Sequence, residues 1–279
     1  MAFPDSLVAA DGVPLSCWRR LAAGEVTAAV LLVHGLNDHS RALPYERLAA
    51  RLLEQGLAVY GFDLRGHGRS DGPRMYAPSW PALRGDLLQV ARAVAEDHGA
   101  RPALCGLSLG GLLCLSAALD EPMAVPAVVA MAPALDASAT SPLLRALLPL
   151  VVRIAPRLRL DPGLDMTGVT RDEAARAEYL ADPLWESKLT PALGAAVIAG
   201  LDELLARAAE LQAPLLAFHG TADRVVPIAG TRAAWPRFGS AVKRLLELEG
   251  AWHALPLEPE ADAMADEIAA FVRTHAGRG

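Results

Sequence analysis

The feature that most narrows what this chain can become lies at Pro102-Ala103-Leu104-Cys105-Gly106-Leu107-Ser108-Leu109-Gly110-Gly111-Leu112. A short apolar run ends in Gly106-Leu107-Ser108-Leu109-Gly110, and an apolar helical pattern begins at once. G-x-S-x-G between a strand and a helix is a nucleophile elbow, a turn so tight that its serine takes a strained backbone. The glycines have a steric reason, because a Cβ at position 106 or 110 collides with the neighbouring strand and helix. The turn leaves the Ser108 hydroxyl at its tip, beside a helix N-terminus whose unpaired N–H groups favour negative charge.

The rest of the chain supplies the sheet that such a turn requires. Ala28 to Val33 is a continuous apolar run, as expected for a strand covered on both faces. Further strands are expected at Pro14–Leu21, Leu57–Asp63, Ala127–Met131, Pro214–Gly220 and Val242–Leu248. Helices are expected between them at Pro44–Gln55 and Trp80–His98, after the elbow to about Leu119, and at Pro259–His275. This alternation predicts an α/β fold, a mostly parallel sheet with helices on both faces. The rhythm breaks between Ala134 and Leu211, where helices but no credible strand occur. Thr170-Arg171-Asp172-Glu173 has capping-box spacing for one helix there, and Thr190-Pro191 opens another. The expected organisation is a core of residues 1–133 and 212–279, with residues 134–211 inserted as a helical cap on the side where Ser108 emerges.

Composition excludes several classes. A chain of 279 residues, 53% hydrophobic and 21% charged, buries a substantial core and is not a disordered segment. Its net charge of -6 gives no basic footprint for nucleic acid. No uninterrupted apolar segment reaches the length of a membrane span, and the first residues lack the pattern of a signal peptide. Cys17, Cys105 and Cys114 cannot all pair and sit in apolar contexts, so reduced buried thiols and a cytoplasmic location are expected. Metal-ligand spacings and Gly-rich phosphate loops are absent, and the chemistry below needs no cofactor.

A serine hydroxyl is a poor nucleophile until a base takes its proton, and that base needs an acid to hold its tautomer. In a fold with this elbow the chain order is Ser, then Asp or Glu, then His. Asp223, in His219-Gly220-Thr221-Ala222-Asp223, and His253, in Gly250-Ala251-Trp252-His253, follow the last two strands. Both therefore lie on the sheet edge where Ser108 emerges. Asp136, after the strand that follows the elbow, is the rival acid. His34 and His219 are expected to shape loops, His39 and His67 to lie near the mouth in structural hydrogen bonds. Two backbone amides are expected to receive the developing oxyanion: Leu109, next to the nucleophile, and Leu36, after His34-Gly35.

Taken together these segments resemble the monoacylglycerol lipase-like α/β-hydrolases, which carry a helical cap. The likeness runs from about Asp11 to His275. It is strongest in Leu32-Val33-His34-Gly35, in His39-Ser40 with Tyr45-Glu46-Arg47-Leu48-Ala49, and in Phe62-Asp63-Leu64-Arg65-Gly66-His67-Gly68-Arg69-Ser70-Asp71-Gly72-Pro73. It continues through the elbow, Gly220-Thr221-Ala222-Asp223, and Glu249-Gly250-Ala251-Trp252-His253. The resemblance implies a triad of Ser108, Asp223 and His253, oxyanion amides at Leu36 and Leu109, and hydrolysis of monoacylglycerols or related lipid esters. Where the family commonly has Gly-Glu-His after the oxyanion residue this chain has Asn37-Asp38-His39, and it carries two extra residues between Ser40 and Tyr45.

Two other activities share this chemistry. A small-ester carboxylesterase has a tighter pocket, and an aminopeptidase or amidase needs carboxylates for a substrate amine, for which Asp172, Glu173 and Glu178 are available. The stretch from Ser141 to Ile154 bears on the choice. Leu143, Leu144, Leu147, Leu148 and Val151 recur at helical spacing, with Arg145 and Arg153 on the other side. Such a stripe either packs the cap onto the core, or in part lines an acyl tunnel or meets a membrane or micelle surface.

Overall fold

The computed structural model describes residues 3–24, 26–136, 142–161, 163 and 165–276. Its centre is an eight-stranded sheet in the order β1-β2-β4-β3-β5-β6-β7-β8. The strands are β1 (Ser6–Val8), β2 (Pro14–Arg20), β3 (Ala28–Val33), β4 (Leu57–Phe62), β5 (Ala103–Leu107), β6 (Val128–Met131), β7 (Leu215–Gly220) and β8 (Lys243–Leu248). β1 and β2 are antiparallel to their neighbours, and every pairing from β4 to β8 is parallel.

The apolar runs of β3 and β4 are explained by their two covered faces. In β3, Ala29, Leu31 and Val33 enter one core, shared with α2 (Trp80–His98) and α3 (Leu109–Asp120). Ala28, Val30 and Leu32 enter the other, shared with α1 (Leu43–Glu54) and α8 (Ala261–Ala276). Alternate residues of an extended chain point to opposite faces, so a strand buried on both sides must be apolar at every position.

Between β6 and β7 the chain inserts α4 (Pro142–Ile154), α5 (Glu173–Leu180) and α6 (Pro191–Ala206). Thr190 caps α6 as expected, its side chain accepting from the Leu193 N–H with Pro191 in the first turn. At α5 the expected cap is displaced by two residues. Asp172 accepts from the Ala175 N–H, while the Thr170 hydroxyl is drawn off to the buried Glu258 carboxylate at 2.7 Å. A short helix, α7 (Ile228–Ala234), follows the β7 loop where no helix is expected from the sequence.

The stripe on α4 is not packed onto the core, and much of the apolar surface of this helix is open. Leu143, Leu147, Leu150 and Ile154 are 69%, 47%, 56% and 74% exposed, so the helix does not bury this face against the core. Arg145, expected on the side away from the leucines, lines the cavity over Ser108 and pairs with Asp202 at 3.0 Å. The Leu144 side chain lies outside the described residues. Periodicity identifies the residues that share a face but not what that face meets.

Candidate active site

The elbow has the backbone expected of it. Ser108 sits at φ 57° and ψ −118°, between β5 and the first residue of α3. That conformation is costly for a residue with a Cβ and persists only where its surroundings enforce it. Here the Ser108 N–H donates to the Met131 carbonyl at 2.9 Å, and its carbonyl accepts from Ala134 and Leu112 at 3.1 Å each. The glycines are required for the predicted reason: a Cβ on Gly106 would overlap the Gly110 backbone, and one on Gly110 would overlap the Val33 carbonyl of β3.

His253 and Asp223 stand on the loops after β8 and β7. Their ring and carboxylate meet, with His253 Nδ1 2.7 Å from Asp223 Oδ2. The other carboxylate oxygen accepts from the backbone N–H groups of Val225 and Val226 at 2.8 and 2.9 Å. Burial by itself pushes the Asp223 carboxyl up. The nearby His253 charge, hydrogen bonds from His219 and His253 and the Val226 amide overcome it and hold the group well below the usual carboxylate range. An ionised Asp223 fixes the His253 proton on Nδ1 and leaves Nε2 as the basic nitrogen. His219 shapes this loop as expected: Nε2 lies 2.9 Å from the Val226 carbonyl, and Nδ1 2.9 Å from the Thr231 hydroxyl.

Ser108, His253, Leu36, Leu109 and Asp136 all line one cavity of about 200 Å³. Asp136 thus reaches the site, but the carboxylate that meets the imidazole is Asp223. The Leu109 amide is the first of α3, a position at which helix geometry provides no internal acceptor. The turn carrying Leu36 is held on three successive peptides. The Gly35 N–H donates to the Tyr45 hydroxyl at 2.8 Å, His34 Nδ1–H donates to the Gly35 carbonyl at 2.8 Å, and His67 Nε2 lies 2.7 Å from the Leu36 carbonyl. His34 Nε2 accepts from the Leu64 N–H at 2.8 Å, which assigns its tautomer. Burial, with the neighbouring His67, pushes the His34 imidazole down to about 3, so it stays neutral.

The lining is mixed. Val197, Ile198 and Leu201 of α6 give it an apolar wall to which Met166 and Val169 add, and Asn37, Asp38, Tyr45 and Tyr179 bring polar groups. Tyr45 and Tyr179 are not singled out by the sequence reading. Tyr45 lies in a quoted motif and is open to notice there, whereas Tyr179 sits on an insertion helix with no local signal.

A mostly parallel sheet carrying a serine on a strained strand-to-helix turn, with a histidine–carboxylate pair on the loops of the next strands, defines an α/β-hydrolase. The chain belongs to the family described as serine aminopeptidase, S33, whose model matches residues 24–260. It is 33% identical to a monoacylglycerol lipase of Mycolicibacterium smegmatis over 249 residues, 88% of each chain. It is 29% identical to a human monoglyceride lipase over 90% of this chain and 84% of that one. Among solved structures, the monoacylglycerol lipase of Paleococcus ferrophilus superposes with a TM-score of 0.82 at 31% identity, covering 94% of this chain and 100% of the other.

Proposed function

We propose that this chain is a serine ester hydrolase that cleaves monoacylglycerols or closely related single-chain lipid esters through an acyl-enzyme on Ser108. The observation that carries the reading is the mixed lining of the cavity over Ser108: Val197, Ile198 and Leu201 of α6 suit an acyl chain, and Asn37, Asp38 and Tyr179 suit a hydroxylated alcohol. Similarity to the monoacylglycerol lipases named above supports the same substrate class.

In this mechanism His253 Nε2 takes the proton of Ser108 Oγ as it attacks the ester carbonyl. The charge that develops on the carbonyl oxygen is received by the Leu36 and Leu109 N–H groups, donors worth about 3 kcal/mol each in comparable sites. The tetrahedral intermediate collapses with the alcohol leaving, its oxygen protonated by His253. Water, deprotonated by the same nitrogen, then releases the fatty acid and restores the serine. Asp223 holds the imidazole tautomer and stabilises the imidazolium that forms.

Residues 134–211 act in this reading as a cap over the site. The exposed apolar face of α4 makes transient contact with a lipid surface that presents the substrate. No helix among the described residues is long and apolar enough to cross a membrane. The three buried, unpaired cysteines favour a reducing compartment, in keeping with a cytoplasmic enzyme. The peptidase reading has less support. Asp172 caps α5, Glu173 and Glu178 are exposed, and the cavity lining includes none of the three.

A fluorophosphonate label followed by a chain-length series tests the proposal. Wild type is labelled and Ser108→Ala is not. Within the length of the apolar wall, kcat/KM rises about fourfold per methylene, the equivalent of about 0.8 kcal/mol of burial each. Turnover of an aminoacyl amide with no turnover of the glyceryl esters would overturn it.

A further inference from the structure

The wall that α6 gives the cavity stops at a charge. Val197, Ile198 and Leu201 lie on one side of that helix, over about 6 Å at about 1.5 Å of rise per residue. The same side continues one turn later to Leu205, which is half-buried against the core yet is not among the residues lining the cavity. Between the two levels stands Asp202, one turn after Ile198, and Arg145 reaches it from α4. Arg145 Nη1 lies 3.0 Å from each oxygen of the Asp202 carboxylate. Arg145 itself lines the cavity, and among the described lining residues it is the one arginine or lysine. α4 packs on α6, so the guanidinium spans the seam between the two helices where the lining of α6 ends.

The pair is wet. Its side chains are 28% and 53% exposed, so water shares in holding both charges. An acyl methylene pressed against such a pair strips water from it and returns no hydrogen bond, which offsets what the methylene gains by its own burial. On Val197, Ile198 and Leu201 there is no such penalty, and each methylene counts in full. The aliphatic stem of Arg145 adds to the apolar surface, and the guanidinium at its end is what interrupts it.

We propose that Arg145 is a specificity-determining residue: with Asp202 it closes the apolar wall after Leu201 and sets the acyl length beyond which further methylenes no longer improve the substrate. The inference rests on the acyl-binding role that the proposed function gives α6. A bulky apolar side chain limits chain length by filling space, whereas this pair limits it by its hydration. Loss of the charge therefore lengthens the wall towards Leu205, and a different cation at position 145 does not.

The test follows kcat/KM along an even-numbered series of monoacylglycerols, kept below their micelle-forming concentrations, for wild type, Arg145→Met, Arg145→Lys and Ser108→Ala. In wild type the rise of about fourfold per methylene should stop at one chain length. Arg145→Met keeps an unbranched side chain without the charge, so its rise should continue for about two further methylenes. The gain in kcat/KM beyond the wild-type limit should then exceed that of wild type by about tenfold or more. Arg145→Lys keeps a cation beside Asp202 and should keep the wild-type limit, which a residue that merely fills space would not do. Arg145→Met combined with Asp202→Leu gives the same readout should a lone Asp202 carboxylate upset the folding of Arg145→Met. A limit moved equally by Arg145→Lys, a uniform change at every chain length, or a wild-type rise without a limit would each overturn the proposal. An active Ser108→Ala, or a wild-type kcat/KM that is flat with chain length, would overturn the proposed function and the role of Arg145 with it. A rising wild-type series and a dead Ser108→Ala, beside a limit unmoved in Arg145→Met, refute only the role of Arg145.

Discussion

Replacing Asp38 with asparagine should change how stability depends on pH, in a direction opposite to the usual carboxylate. In the unfolded chain this carboxyl ionises at its ordinary value near 3.8, and in the folded protein burial holds it at about 6. Between those values the folded state binds more protons than the unfolded one, so stability falls as pH rises. The contribution is fully present below the unfolded value and is lost as pH climbs through about 6. The whole displacement corresponds to about 3 kcal/mol, at about 1.4 kcal/mol for each tenfold change in proton affinity. About 2 kcal/mol of it falls between roughly pH 4.5 and pH 7.5. The side-chain amide of the Asp38→Asn variant does not titrate, and its altered bond to Tyr179 adds an offset that pH leaves largely unchanged. Urea unfolding of both proteins across that interval isolates the effect: the stability of Asp38→Asn minus that of wild type should rise by about 2 kcal/mol towards neutral pH. Asp223 behaves in the opposite way, its stabilising contribution being present above its unfolded value and lost on acidification. A difference that stays flat with pH, or that shrinks towards neutrality, would mean that Asp38 ionises normally and that the tyrosines outweigh its burial.

Asp223→Asn and His253→Ala should each lower kcat by a factor on the order of 10,000, and Asp136→Asn should do little; steady-state kinetics on a soluble ester decide this. Gly110→Ala should destabilise the fold by more than about 2 kcal/mol, because the new Cβ meets the Val33 carbonyl of the central sheet rather than a movable side chain; chemical denaturation measures it. Leu147→Ser together with Ile154→Ser should weaken partition onto lipid vesicles and leave turnover of a short soluble ester unchanged, which sedimentation and kinetics report separately.

The parts legible in the sequence are those whose physics is local. Ala28–Val33 and Leu57–Phe62 read as buried strands because each of their residues meets a covered face. Gly106, Ser108 and Gly110 read as an elbow because steric crowding leaves few other residues possible. Asp223 and His253 are found by chain order and by their places after strands, and the structure brings that pair together. What escapes is long-range or short in span. Tyr179 and Asp38 lie 141 positions apart, and Thr170 and Glu258 lie 88 apart, so no window of sequence links them. The three residues of β1 and the seven of α7 are too few for a pattern to emerge. On α4 the spacing is legible, yet the environment of the apolar face depends on packing that spacing does not encode.

The buried Glu258 has a consequence for how the insertion can be altered. Its carboxylate takes the Thr170 hydroxyl and the Arg171 amide on one side and the Trp252 amide on the other, so it staples the insertion to the loop that carries His253. Asn37, Asp38 and His39 make the matching attachment at the Leu36 turn, and Thr190 bonds the Met75 carbonyl in the core. The segment from Val169 to Thr190 is thereby tied at several points to the loops that carry Leu36 and His253 and to the core. α4 is attached differently: it packs on α6, and its outward face is bare. The insertion thus divides into a fixed strap and an exchangeable helix. A different sequence grafted over 142–154 should therefore disturb the loops that carry Leu36 and His253 less than one grafted over 169–190. The boundary between these two modes of attachment runs through the insertion, and not at its two ends.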